Sequence, residues 1–84
     1  MRLQIVYYMK TLDKAKKGSW QKIEKVENCT QRQVFRLIEL GFVKGQKVKV
    51  EAISFSRKVF LLQFRGMLLS VRSQLLQNVQ VSDA

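Results

Sequence analysis

Catalysis and metal binding draw on a short set of side chains, and this chain holds few of them: no His, one Cys, and six Asp plus Glu. A general acid or base must sit within hydrogen-bond reach of the atom it serves, and a nucleophile needs a base beside it. The carboxylates Asp13, Glu24, Glu27, Glu39, Glu51 and Asp83 are scattered along the sequence. Glu24 and Glu27 are near one another, but three apart on an extended segment they face opposite sides. First-row metals favour imidazole, thiolate or clustered carboxylate, and only Cys29 with Glu27 offers such ligands locally. Two ligands do not make a site, and Cys29 reads instead as a small residue in a loop before a helix. The expectations are no enzyme activity, no catalytic residue, no metal ligand, no cofactor and no small-molecule substrate.

Charge is the remaining chemistry. Sixteen Lys plus Arg against six Asp plus Glu give a net charge of +10, which suits phosphate backbones and also the anionic inner leaflet of a membrane. Stacking on bases would need aromatics interleaved with the cations. Phe35, Phe60 and Phe64 are expected on core faces, which leaves Phe55 beside Arg57 and Lys58 as the exposed aromatic. No RNP-like or KH-like motif is present. A small basic nucleic-acid-binding barrel is therefore the alternative to a protein-binding module, for which Phe55, Arg57 and Lys58 at a loop tip have the makeup of an anchor.

The elements that must position these residues come from one core. Eighty-four residues leave no room for a second folding unit, and a domain this small buries only about 60% of its unfolded surface. The hydrophobic share of 46% still places it among globular chains. A lone Cys makes no internal disulfide, no apolar run approaches the roughly 18 residues of a membrane span, and the opening MRLQIVYYMK is too short and interrupted for a signal sequence. A soluble, cytoplasmic protein is expected.

Thr30-x-x-Gln33 has the capping-box form and Gly41 can close a helix in the left-handed conformation, which predicts a helix over 31–40 with Val34, Leu37 and Ile38 on its buried stripe. After a turn through Phe42 and Gly45, the alternation from Lys47 to Ala52 predicts a half-buried strand. Lys58 to Arg72 reads as a hairpin on a two-residue Arg65-Gly66 loop, so Phe64 should face Met67, Leu62 face Leu69 and Phe60 face Val71 on an apolar core side. The other side pairs Gln63 with Leu68, Leu61 with Ser70 and Val59 with Arg72, and something should cover part of it. Trp20 to Val26 and Val79 to Val81 complete five strands, with one helical turn at Ser73 to Gln77. Lys10 to Lys17 reads as a solvated helical turn. The whole predicts a mainly β, small antiparallel barrel with a short helix, closing its own edges.

The stretch Arg36 to Val50, R-L-x-x-L-G-F-x-x-G-x-x-V-x-V, resembles the FeoA family, ferrous iron transport protein A. Leu12-x-x-Ala15-x-x-Gly18 and the return Arg65 to Arg72 extend the likeness over residues 9 to 82. Lys17-Gly18, Lys44-Gly45 and Arg57-Lys58-Val59 depart from the family's usual loops. The resemblance implies an SH3-like barrel over residues 9–84, preceded by an extension at 1–8, acting beside FeoB, the membrane ferrous iron transporter with a cytoplasmic G-protein domain. It implies a cytoplasmic adaptor that modulates iron uptake, peripheral at the inner membrane through its partner. The lack of metal ligands predicts that it assists transport without carrying the ion, and weak homo-oligomerisation stays open. The detached barrel of an iron-dependent repressor is excluded, since no helix-turn-helix segment fits.

Arg36 and Arg72 match arginines of the family, as partner contacts or as solvated charges along the barrel, and both readings stay open. Thr30, Leu37, Gly41, Gly45 and Gly66 are expected to be structural. With a G-protein partner, Arg57 could act as an arginine finger, but the loop has Ser on either side of Phe55 and no evident brace, so docking is expected. Residues 1–8 alternate Leu3, Ile5 and Tyr7 against Val6 and Tyr8, and should pair along a barrel edge or cover Val59, Leu61 and Leu68.

Overall fold

The computed structural model describes residues 10–26 and 30–84. Its elements run β1 (Lys10–Thr11), a 3-10 turn (Leu12–Lys14), β2 (Trp20–Val26), α1 (Gln31–Leu40), β3 (Lys47–Ile53), β4 (Val59–Phe64), β5 (Met67–Arg72), α2 (Ser73–Leu76) and β6 (Val79–Asp83). The expected strand at 1–8, together with Glu27 and Cys29, lies outside the described residues.

Local chemistry sets the limits of α1. The Thr30 hydroxyl accepts from the Gln33 N–H at 3.2 Å while Gln33 Oε1 accepts from the Thr30 N–H at 2.9 Å, so two otherwise unpaired donors are satisfied reciprocally. Gly41 ends the helix at φ 100°, and its N–H donates to Ile38 O at 2.9 Å. A Cβ at Gly41 would also sit 2.8 Å from the Phe64 ring, so glycine is needed twice over.

The β4–β5 hairpin turns on Arg65 and Gly66, with φ 54° and 75°, the paired left-handed residues of a two-residue turn whose twist matches the strands. Its register is Phe64↔Met67, Leu62↔Leu69 and Phe60↔Val71 on one side, and Gln63↔Leu68, Leu61↔Ser70 and Val59↔Arg72 on the other. The first side is core at Phe60, Leu62, Phe64 and Val71, whereas Met67, at the tip, is 52% exposed because the core ends before it.

The strands form one antiparallel sheet in the order β1-β6-β2-β3-β4-β5. It curls into a barrel-like domain around Ile23, Phe42, Val48, Val50, Phe60, Leu62, Phe64, Val79 and Val81, with irregular registers in β2 and β3 where the sheet bends. The expected closure does not occur: among the described residues β1 and β5 do not pair, and the sheet keeps two edges. Lys10 to Lys17 is also more than a solvated turn. The 3-10 turn carries Leu12 and, one turn on, Ala15 into the core, as side chains three apart on so tight a turn share a face. In β2 the hydropathy pattern inverts, with Gln21 buried and Trp20 exposed; Gln21 Nε2 donates to Ser19 Oγ at 3.0 Å and Asp83 Oδ1 at 3.3 Å, which offsets part of its desolvation.

Candidate protein-docking surface

The loop from Ser54 to Lys58 is built by its first residue. Ser54 Oγ accepts from the N–H groups of Lys58 at 3.1 Å and Val59 at 3.0 Å, and Ser54 O accepts from the Arg57 N–H at 2.8 Å. Serine is favoured at such a position because its hydroxyl can replace a backbone acceptor in a tight turn. Arg57 adopts φ 60°, a conformation that costs a non-glycine residue roughly 1–2 kcal/mol.

The brace that the sequence did not reveal is Arg57 itself. Its Nη2 donates to Asp13 O at 3.0 Å and Ala15 O at 3.5 Å, and its guanidinium carbon lies 5.4 Å from the Phe60 ring centroid. These contacts, to carbonyls and a ring face, offset the backbone strain. The side chain is turned back on the barrel, which is the wrong direction for an arginine finger. Phe55 is left fully exposed at the tip, and Lys58 is exposed beside it. A rigid turn presenting a bare aromatic ring is the arrangement of a docking anchor, since little ordering entropy remains to be lost on binding.

The other two candidate arginines come together elsewhere. Arg36 on α1 and Arg72 at the end of β5 line one hollow of about 460 Å³, with Leu40, Leu69 and Leu75 among its apolar lining. Neither has an ion-pair partner among the described residues. Of the structural candidates, Leu37 is fully buried, and Gly45 holds φ 91° with its N–H on Ile23 O at 2.7 Å.

The helix face departs from expectation. Leu37 alone is buried on α1; Val34 is half-buried, while Phe35 is 58% and Ile38 50% exposed. At about 100° per residue, Phe35 and Ile38 lie on a stripe next to that of Val34 and Leu37. That second stripe, running beside Arg32 and Arg36, was the available signal that Phe35 and Ile38 are surface residues, against the three-and-four spacing that places Ile38 on the buried stripe. Among the described residues no three His, Cys, Asp or Glu gather, and no helix is long and apolar enough to cross a membrane. Among the described residues one carboxyl is clearly perturbed: the Lys10 ammonium at 2.7 Å and the Gln21 amide hold Asp83 below the usual carboxylate range.

Comparison with known proteins matches the FeoA domain family over residues 10–83. The chain is similar to the FeoA protein of Chlorobium tepidum, at 26% identity over 87% of this chain and 69% of that one, with a TM-score of 0.77. It is similar to a FeoA-like protein of Clostridium acetobutylicum, at 19% identity over 89% and 86%, TM-score 0.81. The same fold occurs within a manganese-dependent transcriptional repressor, at 10% identity over 95% of this chain and 44% of that one, TM-score 0.84. Among curated proteins none matches the chain.

Proposed function

The chain belongs to the FeoA family, which is linked to ferrous iron uptake, and from that premise we propose that it is an adaptor that docks on the cytoplasmic part of FeoB and modulates transport. The observation that supports this reading is Phe55, bare on a braced turn. Burying a phenyl ring on a partner gains about 1.5–3 kcal/mol. Lys58 adds long-range steering toward an acidic surface.

Binding of the full chain to the cytoplasmic part of FeoB, with GTP hydrolysis assayed alongside, tests the reading. Phe55→Ala should weaken binding by about 1–3 kcal/mol, and wild-type affinity would remove the loop from the interface. Arg57→Ala should weaken binding by releasing the turn, with GTP turnover at saturation unchanged; a collapse of turnover would restore the finger. Nucleic-acid binding has one observation in its favour, since Phe35 stands exposed between Arg32 and Arg36. A steep loss of affinity for single-stranded RNA between low and moderate salt, with no affinity for FeoB, would establish that reading instead.

A further inference from the structure

The hollow beside Arg36 and Arg72 runs along the outer edge of β5. Four consecutive β5 residues line it, Leu69 and Val71 from the core side and Ser70 and Arg72 from the other. Neighbours on a strand point to opposite faces, so both sets line one hollow only where it opens on the strand's edge. In a hairpin with a two-residue turn, alternate residues send their N–H and C=O groups to the partner strand. Ser73 N–H donates to Lys58 O at 2.8 Å, which fixes the parity: Met67, Leu69 and Val71 face β4, and the backbone groups of Leu68 and Ser70 point outward. No strand pairs with that edge among the described residues. The opposite wall is α1, through Gln33, Arg36 and Leu40.

A free strand edge facing a helix across an open hollow is suited to an extended peptide, which completes the ladder with its backbone and fills the pockets with alternate side chains. The volume, about 460 Å³, is that of a ligand site. Its chemistry selects the occupant. Arg36 and Arg72 carry no carboxylate of this chain among the described residues, and Leu40, Leu69 and Leu75 are only partly buried by the core. We propose that the cleft between α1 and β5 binds an extended acidic segment of a partner protein as an added strand, with carboxylates on Arg36 and Arg72 and an aliphatic side chain between them on the leucines. This second site shares no residue with the Phe55 turn and goes beyond the docking reading.

The test titrates the isotopically labelled full chain with a capped hexapeptide of alternating Glu and Val, followed by NMR. Saturable shifts at the Leu68 and Ser70 amides are expected. Arg36→Gln and Arg72→Gln, both at exposed positions, should each weaken binding about tenfold and flatten its salt dependence. Methylating the peptide nitrogens that face β5 should abolish binding, because the added strand loses its donors. Phe55→Ala should leave the peptide affinity unchanged, so failure here and failure of the FeoB reading are read separately. Equal affinity for the methylated peptide, shifts confined to residues 54–58, or no saturation at millimolar peptide would overturn the proposal. So would a single-stranded oligonucleotide that shifts the same amides at lower concentration than the peptide does.

Discussion

The sheet ends in two very different ways. At one edge, β1 is two residues long among the described residues, pairs Lys10 with Val81 and Thr11 with Gln80, and is pinned by Lys10 Nζ on Asp83 Oδ1 at 2.7 Å. The chain then turns inward at once, with Leu12 in the core. At the other edge, β5 runs six residues, Leu68 is 62% exposed, and its outward backbone groups border a hollow, with no strand paired to them among the described residues. Shortness and charge are the usual means of keeping a sheet edge from recruiting another chain. β1 has the charge, in Lys10 and its ion pair with Asp83, while the outward side of β5 has none until Arg72. In their place stands α1, which buries Leu37 in the core, packs Leu40 partly against it, and forms the far wall of the cleft through Gln33, Arg36 and Leu40. A helix so lightly anchored depends on how its ends are fixed, and the openness of the β5 edge depends on the helix.

Substitutions at the ends of α1 should therefore show the largest effects. Gly41→Ala combines left-handed strain with a Cβ 2.8 Å from the Phe64 ring, and should cost about 2–4 kcal/mol in urea unfolding. A loss within experimental error would mean that α1 is held by something other than its C-terminal turn. Thr30→Ala removes one half of the capping box and should cost about 1 kcal/mol. Hydrogen exchange should accelerate in the first turn of α1 while the β4–β5 ladder stays protected; loss of protection in both together would make helix and hairpin one cooperative unit. Smaller again is Leu68→Lys, which puts a charge on the exposed face of β5. Its stability should change by no more than about 0.5 kcal/mol, while any self-association seen in sedimentation at high concentration should fall. Unchanged self-association would show that this edge is not where copies meet.

Hairpin and helix limits were legible in the sequence because each is fixed within a few residues: Arg65-Gly66 sets the register, and Thr30, Gln33 and Gly41 set the ends of α1. What stayed hidden depends on distant parts of the chain. Phe35 and Ile38 have the composition of a core stripe, and only the position of α1 beside the barrel leaves them outside it. Among the described residues the barrel-like sheet does not close, and this stayed hidden for the same reason, since no local signal says whether β1 and β5 meet. At the candidate site, Phe55 between two serines was recognisable as exposed, but the strut from Arg57 reaches carbonyls 44 and 42 residues away in sequence. Arg36 and Arg72 were identified singly, and their shared cleft needs the tertiary fold.

The smallest expected effect belongs to the guarded edge. The Lys10 ammonium, with help from Gln21, holds the Asp83 carboxyl below its ordinary range in the folded chain. In the unfolded chain that carboxyl returns to its ordinary value. Between the folded value and the ordinary one, the unfolded chain binds more protons, so stability rises with pH across that window. The contribution is therefore complete above the ordinary carboxylate pKa and is lost as pH falls through the folded value. Asp83 is exposed, so salt should shrink the effect. An NMR titration of the Asp83 carboxyl should show its midpoint rising in Lys10→Met and rising in wild type as salt is added. An unshifted midpoint in Lys10→Met would mean that this ion pair does not hold in solution, and the contrast between the edges would then lose the charge that marks β1. The amides of Leu68 and Ser70 should stay still throughout, because the charge that guards β1 lies at the other end of the strand order from the edge that β5 leaves open.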